Sequence, residues 1–182
     1  MQRDWLLSRL EEYTPLDENE REMCLSTKRF IRTQPDCFER TLAIGHVTGS
    51  AWVVSPDRAQ VLLMHHRKLD RWFQPGGHCD GDPQVLEVAM KEATEETGLR
   101  QITPVSDQIF DVDVHLIPAN SKEAAHYHYD IRFLLEADPN QPIERNAESK
   151  EVRWISLDKV AEYNNSESIL RMVRKLQQIA AP

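Results

Sequence analysis

No apolar run in the 182-residue sequence approaches the roughly 20 residues that a bilayer-spanning helix needs. The opening stretch, MQRDWLLSRLEEY, carries acids and lacks the apolar segment and cleavage site of a signal peptide. The expectation is a soluble, cytoplasmic protein with no membrane partner. Cysteine is scarce, and Cys24, Cys37 and Cys79 are odd in number without metal-type spacing, which excludes a disulfide framework and a zinc knuckle. Free thiols in a reducing compartment fit best. Basic residues are also short, 22 Lys and Arg against 30 Asp and Glu, for a formal charge of -8. A chain so short of cationic clusters is a poor partner for nucleic acid, whose phosphate backbone dominates nonspecific affinity. Internal repeats, low-complexity tracts and Gly- or Ser-rich linkers are missing too, so one domain with appendages is expected.

What is present begins with helical spacing of Trp5, Leu6, Leu10 and Tyr13, then a second helical segment carrying Met23, Phe30 and Ile31. From Phe38 the pattern turns to strands: FERTLAIGHVTGSAWVVS, AQVLLMHHR, HYHYDIRFLLEAD and EVRWISL. SESILRMVRKLQQI closes the chain as an amphipathic helix with Ser166 as its cap. The apolar stripes of the terminal helices require burial, either on the domain or in a homodimer contact.

Between the second and third strand blocks lies RWFQPGGHCDGDPQVLEVAMKEATEETGL. Asp82-Pro83 predicts an N-cap followed by proline at the first helical position, and Gly98 a left-handed stop. On the helical wheel Val85, Leu86, Ala89, Met90, Ala93 and Thr97 form the core face. Glu92, Glu95 and Glu96 follow i, i+3, i+4 spacing and gather along one stripe, where like charges repel. Glu96 projects at the edge of the apolar arc, and all three sit toward the end of the helix where the dipole disfavours anions. Taken alone, an acid-rich helix is a solvated face. A carboxylate forced toward the core needs a partner, and Mg²⁺ or Mn²⁺, which take oxygen ligands and keep waters and substrate phosphates in their shell, would satisfy the group.

These residues resemble the Nudix box. In register from Gly77 to Leu99 stand Gly77, Glu92, Ala93, Glu95, Glu96, Gly98 and Leu99, while Pro83 replaces the first Glu and Lys91 the Arg. Lysine keeps the charge but loses the guanidinium fork that would orient neighbouring carboxylates. The resemblance implies an α/β Nudix fold, a mixed β-sheet sandwiched between helices. It covers roughly residues 38–160 and leaves both helical ends unexplained; the expected division is a Nudix domain over 38–182, including the C-terminal helix, and a packed N-terminal helical extension over 1–37. The resemblance also implies a Mg²⁺- or Mn²⁺-dependent hydrolase that cleaves the pyrophosphate of a nucleoside diphosphate linked to another group. The implied metal ligands are Glu92, Glu95, Glu96 and the Gly76 carbonyl, with Glu148 as an extra ligand or base. Glu92 and Glu148 both remain candidates for the general base.

Other residues offer weaker signals. His126, His128 and Asp130 alternate onto one strand face, where they suit substrate contact; a half-exposed polar face is the simpler account and is preferred to a separate transition-metal site. His78 follows the glycine pair and suits a phosphate contact or a loop cap. Arg67, Lys68 and Arg71 form a local cationic cluster able to grip phosphate, and Arg71 is taken with the three histidines as substrate-binding. Trp72 and Phe73 read as core rather than as a stacking platform. Two alternatives to hydrolysis stay open. One is a ligand-binding module without turnover. The other is an enzyme like isopentenyl diphosphate isomerase, which would need a catalytic thiol that Cys79 does not obviously supply.

Overall fold

A computed structural model describes residues 2–121 and 124–180. Two helices, α1 (Gln2–Glu12) and α2 (Glu18–Thr33), lead into strands β1 (Gly45–Val54), β2 (Gln60–His66), β3 (Arg71–Phe73) and β4 (Gly76–His78). Helix α3 (Val85–Thr97) follows, then β5 (Thr103–Ile117), β6 (His126–Glu136), β7 (Ser149–Ser156), a short α4 (Val160–Tyr163) and α5 (Glu167–Ala180). The strands form one seven-stranded sheet with the path β3-β2-β1-β6-β5; β4 adds to β1 and β7 to β2. It is mixed, because β1 and β6 run parallel from Gly45↔Tyr127 to Val54↔Glu136 while the other pairs are antiparallel.

Period-2 alternation splits the core in two. Val47, Ala51 and Val53 of β1 join Ile131, Phe133 and Leu135 of β6 under α1, α2 and α3. Trp52 and Val54 point the other way, with Leu63, Leu134 and Ile155, onto Ile169, Met172 and Leu176 of α5. The stripes of the terminal helices are therefore buried within the chain: Leu6, Leu10, Ile31, Ile169, Met172 and Leu176 are closed to solvent. Among the described residues, no helix is long and apolar enough to cross a membrane.

Three local expectations are corrected. Strand β1 begins at Gly45 rather than near Phe38, since residues 38–44 form successive turns closed by Leu42 N–H to the Glu39 carbonyl and Gly45 N–H to the Leu42 carbonyl. Helix α3 begins at Val85 rather than at Pro83. Asp82 Oδ1 accepts from Gln84 N–H at 2.9 Å, an Asx turn that places Pro83 ahead of the helix. Strand β5, the longest, adds to the four strand blocks read from the sequence: its first six residues are exposed, and the run Asp111-Val-Asp-Val-His115 alternates acids with valines.

Those acids are instead buried by ion pairing. Asp111 accepts from Arg171 Nε and Nη2, both at 2.8 Å, from Lys175 Nζ at 2.8 Å and from Arg132 Nη1 at 3.0 Å. Asp113 receives Arg171 Nη2 at 3.1 Å, Asp130 receives Arg132 Nε at 2.7 Å, and Lys175 also pairs with Glu20 of α2. Burial works to raise the Asp111 carboxyl, but the Arg171 hydrogen bonds and the surrounding cations outweigh it, and the net shift is downward. The network ties α5 and α2 to β5 and β6. Breaking such a cluster by removing one partner leaves an uncompensated buried charge, whereas full apolar replacement need not cost anything. Arg171→Ala is expected to lower the unfolding free energy by about 3–5 kcal/mol, read from urea denaturation followed by circular dichroism. A loss within the range of an ordinary surface substitution would show that the network is not an anchor.

Candidate functional site

The glycine pair of β4 lies antiparallel to β1, Gly77 opposite Gly49 and Gly76 opposite Ser50. Helix α3 runs back along the same region and ends at Gly98, whose φ of 73° is the predicted left-handed stop; the Gly98 N–H donates to the Thr94 carbonyl at 2.9 Å. A Cβ on Gly77 would stand 2.5 Å from the Glu92 carboxyl, so only glycine lets that side chain lie against the strand.

Glu96 is 5% exposed, and its Oε2 accepts one hydrogen bond, from Gly76 N–H at 2.9 Å. Burial first, partly offset by that hydrogen bond, and then the charges of Glu92, Glu148 and Glu95 push its carboxyl up to about 8. Half-buried Glu92 is raised for the same reasons, first burial and then the charges of Glu95 and Glu148, against the opposing pull of Lys91. Glu148 thus acts on both. Its loop is braced by Arg67, whose Nε donates to the Ala147 carbonyl at 2.9 Å while its backbone N–H donates to the Glu148 carbonyl at 2.8 Å. That engagement turns Arg67 from a candidate phosphate grip into a loop clamp. Glu95 differs from the others. It is exposed and lies 3.8 Å from Lys91, a surface pair on the rim of the cluster.

The cluster fits a hard divalent cation on its donor chemistry: the Glu92 charge opposes ionisation of Glu96, Glu148 acts on both, and Glu95 stands on the exposed rim. A cleft of about 310 Å³ opens beside it, lined by His78, Asp80, Lys91 and Glu92 among others. Cys79, at 4% exposure, has its thiol pushed well above the usual range by burial and then by Asp82 and Asp130. It is a packed side chain, not a nucleophile.

The strand face that carries His126, His128 and Asp130 is covered rather than half-exposed. His126 and Asp130 are buried, and Asp130 Oδ1 accepts from Thr48 Oγ1 at 2.9 Å and Ser50 Oγ at 2.7 Å. His78 of β4 and His46 of β1 join the same face, with ring centroids 5.0 Å apart and 5.2 and 4.7 Å from His128. Burial and then the charges of His46, His115, His78 and His126 drive the His128 imidazole down to about 2, so the ring is neutral. Sequence reasoning missed His46, which lies 82 residues from its neighbour His128 and becomes visible only in the parallel β1–β6 register. Arg71 is apart from these. It sits on the β3 edge, exposed, with its guanidinium over Phe73. Trp72 packs as expected, stacked on His65 and edge-on to Tyr163.

With this geometry in view, the comparisons identify the class. Residues 45–176 match the NUDIX domain, and the chain belongs to the Nudix family. It is 29% identical over 114 residues to a probable DHNTP pyrophosphohydrolase of Lactococcus lactis, covering 62% of this chain and 63% of that protein. It is 29% identical over 119 residues to a putative 8-oxo-dGTP diphosphatase 3 of Mycobacterium tuberculosis, covering 59% and 49%. The chain thus spans between half and two thirds of these relatives' length. Among solved structures it resembles an Ap4A hydrolase of C. elegans, with a TM-score of 0.59 at 16% identity, covering 73% of this chain and 96% of that one.

A pH test follows from Glu96. A carboxyl raised in the folded state binds its proton more tightly there than in the unfolded chain, so rising pH removes stability between the ordinary value of 4.5 and the shifted value of about 8. In chelator, the melting temperature is expected to fall as pH climbs through this window, and Glu96→Gln to flatten the slope. An unchanged slope in the variant would assign the pH dependence to other groups.

Proposed function

We propose that this protein is a Mg²⁺- or Mn²⁺-dependent pyrophosphohydrolase that cleaves the diphosphate of a nucleoside diphosphate linked to another group. The observation that carries the reading is the buried Glu96 carboxyl, facing Glu92 and Glu148 with the Gly76 N–H as its hydrogen-bond donor. Glu92, Glu95, Glu96 and the Gly76 carbonyl would hold the cation. Once bound, it neutralises phosphoryl oxygens and lowers the pKa of water. Glu92 and Glu148 are the two candidates to take the proton of the attacking water. Gly77 keeps side-chain bulk away from Glu92. His78, lining the cleft beside Glu92, is assigned to the substrate side, together with His126 and His128 on the adjoining face and Arg71 on the outer strand.

The names of the relatives support a triphosphate or dinucleotide type of substrate, and DHNTP, 8-oxo-dGTP and Ap4A are the first compounds to assay. The buried, hard-to-ionise Cys79 speaks against an isomerase that needs a thiol beside its metal. The domain division is proposed as residues 38–182 with a 1–37 helical extension, which shares the core through Leu6, Leu10 and Ile31.

Glu92→Gln and Glu96→Gln are each expected to lower kcat by about 100-fold or more in Mg²⁺, with circular dichroism and melting unchanged or improved. Phosphate products resolved by chromatography give the readout. Wild-type turnover in both variants would overturn the assignment. A screen blank for every diphosphate, combined with tight binding of one of them, would instead establish a binding module.

A further inference from the structure

Four strands bring five imidazoles to one face of the sheet: His46 on β1, His78 on β4, His115 on β5, and His126 and His128 on β6. His46 sits beside His128 across the parallel pair, and His128 is opposite His115. Farther along the same strands this face is ordinary apolar core, with Trp52 and Leu134 packed on α5. Between the two stretches stand Thr48, Ser50, Asp130 and Arg132, joined by buried polar contacts, so the imidazoles occupy the N-terminal ends of β1 and β6 on this face.

One nitrogen from each of His46, His78 and His128 lies within 4.8 Å of the other two. His126 Nε2 stands 3.3 Å from His128 Nε2, and His126 Nδ1 is 2.8 Å from the Ala124 carbonyl. A carbonyl oxygen only accepts, so Nδ1 carries the proton, and in the neutral ring Nε2 presents its lone pair toward the cluster. Behind them His115 Nδ1 meets the Asp113 carboxylate at 2.9 Å.

We propose that His46, His78 and His128 form a binding site for a divalent transition ion of the Zn²⁺ class, separate from the carboxylate cluster, with His126 Nε2 next to the fourth position. Imidazole donors select Zn²⁺, Co²⁺, Ni²⁺ or Cu²⁺ over Mg²⁺, and none of the three residues is a carboxylate. A tetrahedral ion with nitrogen ligands at about 2.0–2.1 Å holds those nitrogens about 3.3 Å apart. The His126–His128 hydrogen bond already has this spacing, with the ion taking the place of its proton, and the nitrogens of His46, His78 and His128, within 4.8 Å of one another, would draw in around it. The ion would occupy the lone pairs of His78 and His128, so it competes with any direct contact they make to substrate. The site does not depend on the hydrolase reading, and its test needs no turnover.

Untagged full-length protein in excess Mg²⁺ is titrated with Co²⁺, followed by visible absorption, and with Zn²⁺, followed by calorimetry. One equivalent is expected, with the intense absorption of a four-coordinate Co²⁺ centre, in the wild type and equally in a Glu92→Gln/Glu96→Gln double variant. His78→Ala and His128→Gln are each expected to weaken Zn²⁺ binding by about 100-fold or more. Zn²⁺ should also raise the melting temperature of the wild type and not of the histidine variants. Loss of binding in the glutamate double variant, or retention in both histidine variants, would overturn the site. Should the histidine variants fail to fold, the wild-type spectrum decides: a faint, six-coordinate Co²⁺ band refutes the proposal.

Discussion

The constraint on which this protein is organised is that a carboxylate cannot be taken out of water for nothing. Glu96 is nearly closed to solvent, accepts one hydrogen bond from the Gly76 amide, and shares its surroundings with Glu92 and Glu148. Each feature raises the cost of ionisation, and none is needed to hold α3 on the sheet, which Val85, Ala89 and Ala93 do by apolar contact. A group kept at such cost is the usual mark of a functional position.

The same physics has a different outcome on the other face. Asp111, Asp113, Asp130 and Glu20 are also buried, but Arg132, Arg171 and Lys175 meet them with short, directed hydrogen bonds, and the Asp111 and Asp113 carboxyls are held down rather than pushed up. One set of acids has its cations built into the chain and serves docking of α5 and α2. The other, in the proposed function, would be neutralised by a bound divalent cation. The two sets act oppositely with pH: the paired aspartates lose stability as pH falls below their ordinary range, and Glu96 loses it as pH rises.

The glycine pair connects the site to the fold. Gly76 supplies the amide that Glu96 accepts from, and Gly77 makes room for Glu92, while the next residue, His78, turns to the imidazole face. The carboxylate cluster and the imidazole face therefore both adjoin the three residues of β4.

Much of this was legible in the sequence because it is local. The spacing of Glu92, Glu95 and Glu96, the stop at Gly98 and the apolar face of α3 depend on helical geometry alone, and the family resemblance follows from the same 23 positions. The alternation in HYHYDIRF likewise set His126, His128 and Asp130 on one face. What only the tertiary structure decided required registers and partners far apart in the chain. The acids of β5 can be buried only because Arg171 and Lys175, some 60 residues later in the chain, neutralise Asp111. The helical wheel set Glu96 at the edge of the apolar arc, but its near-complete burial and its bond to the Gly76 amide depend on how α3 lies on β4. His46 joined His128 only through the parallel β1–β6 register, because a strand pattern fixes which face a side chain takes but not which strand lies beside it.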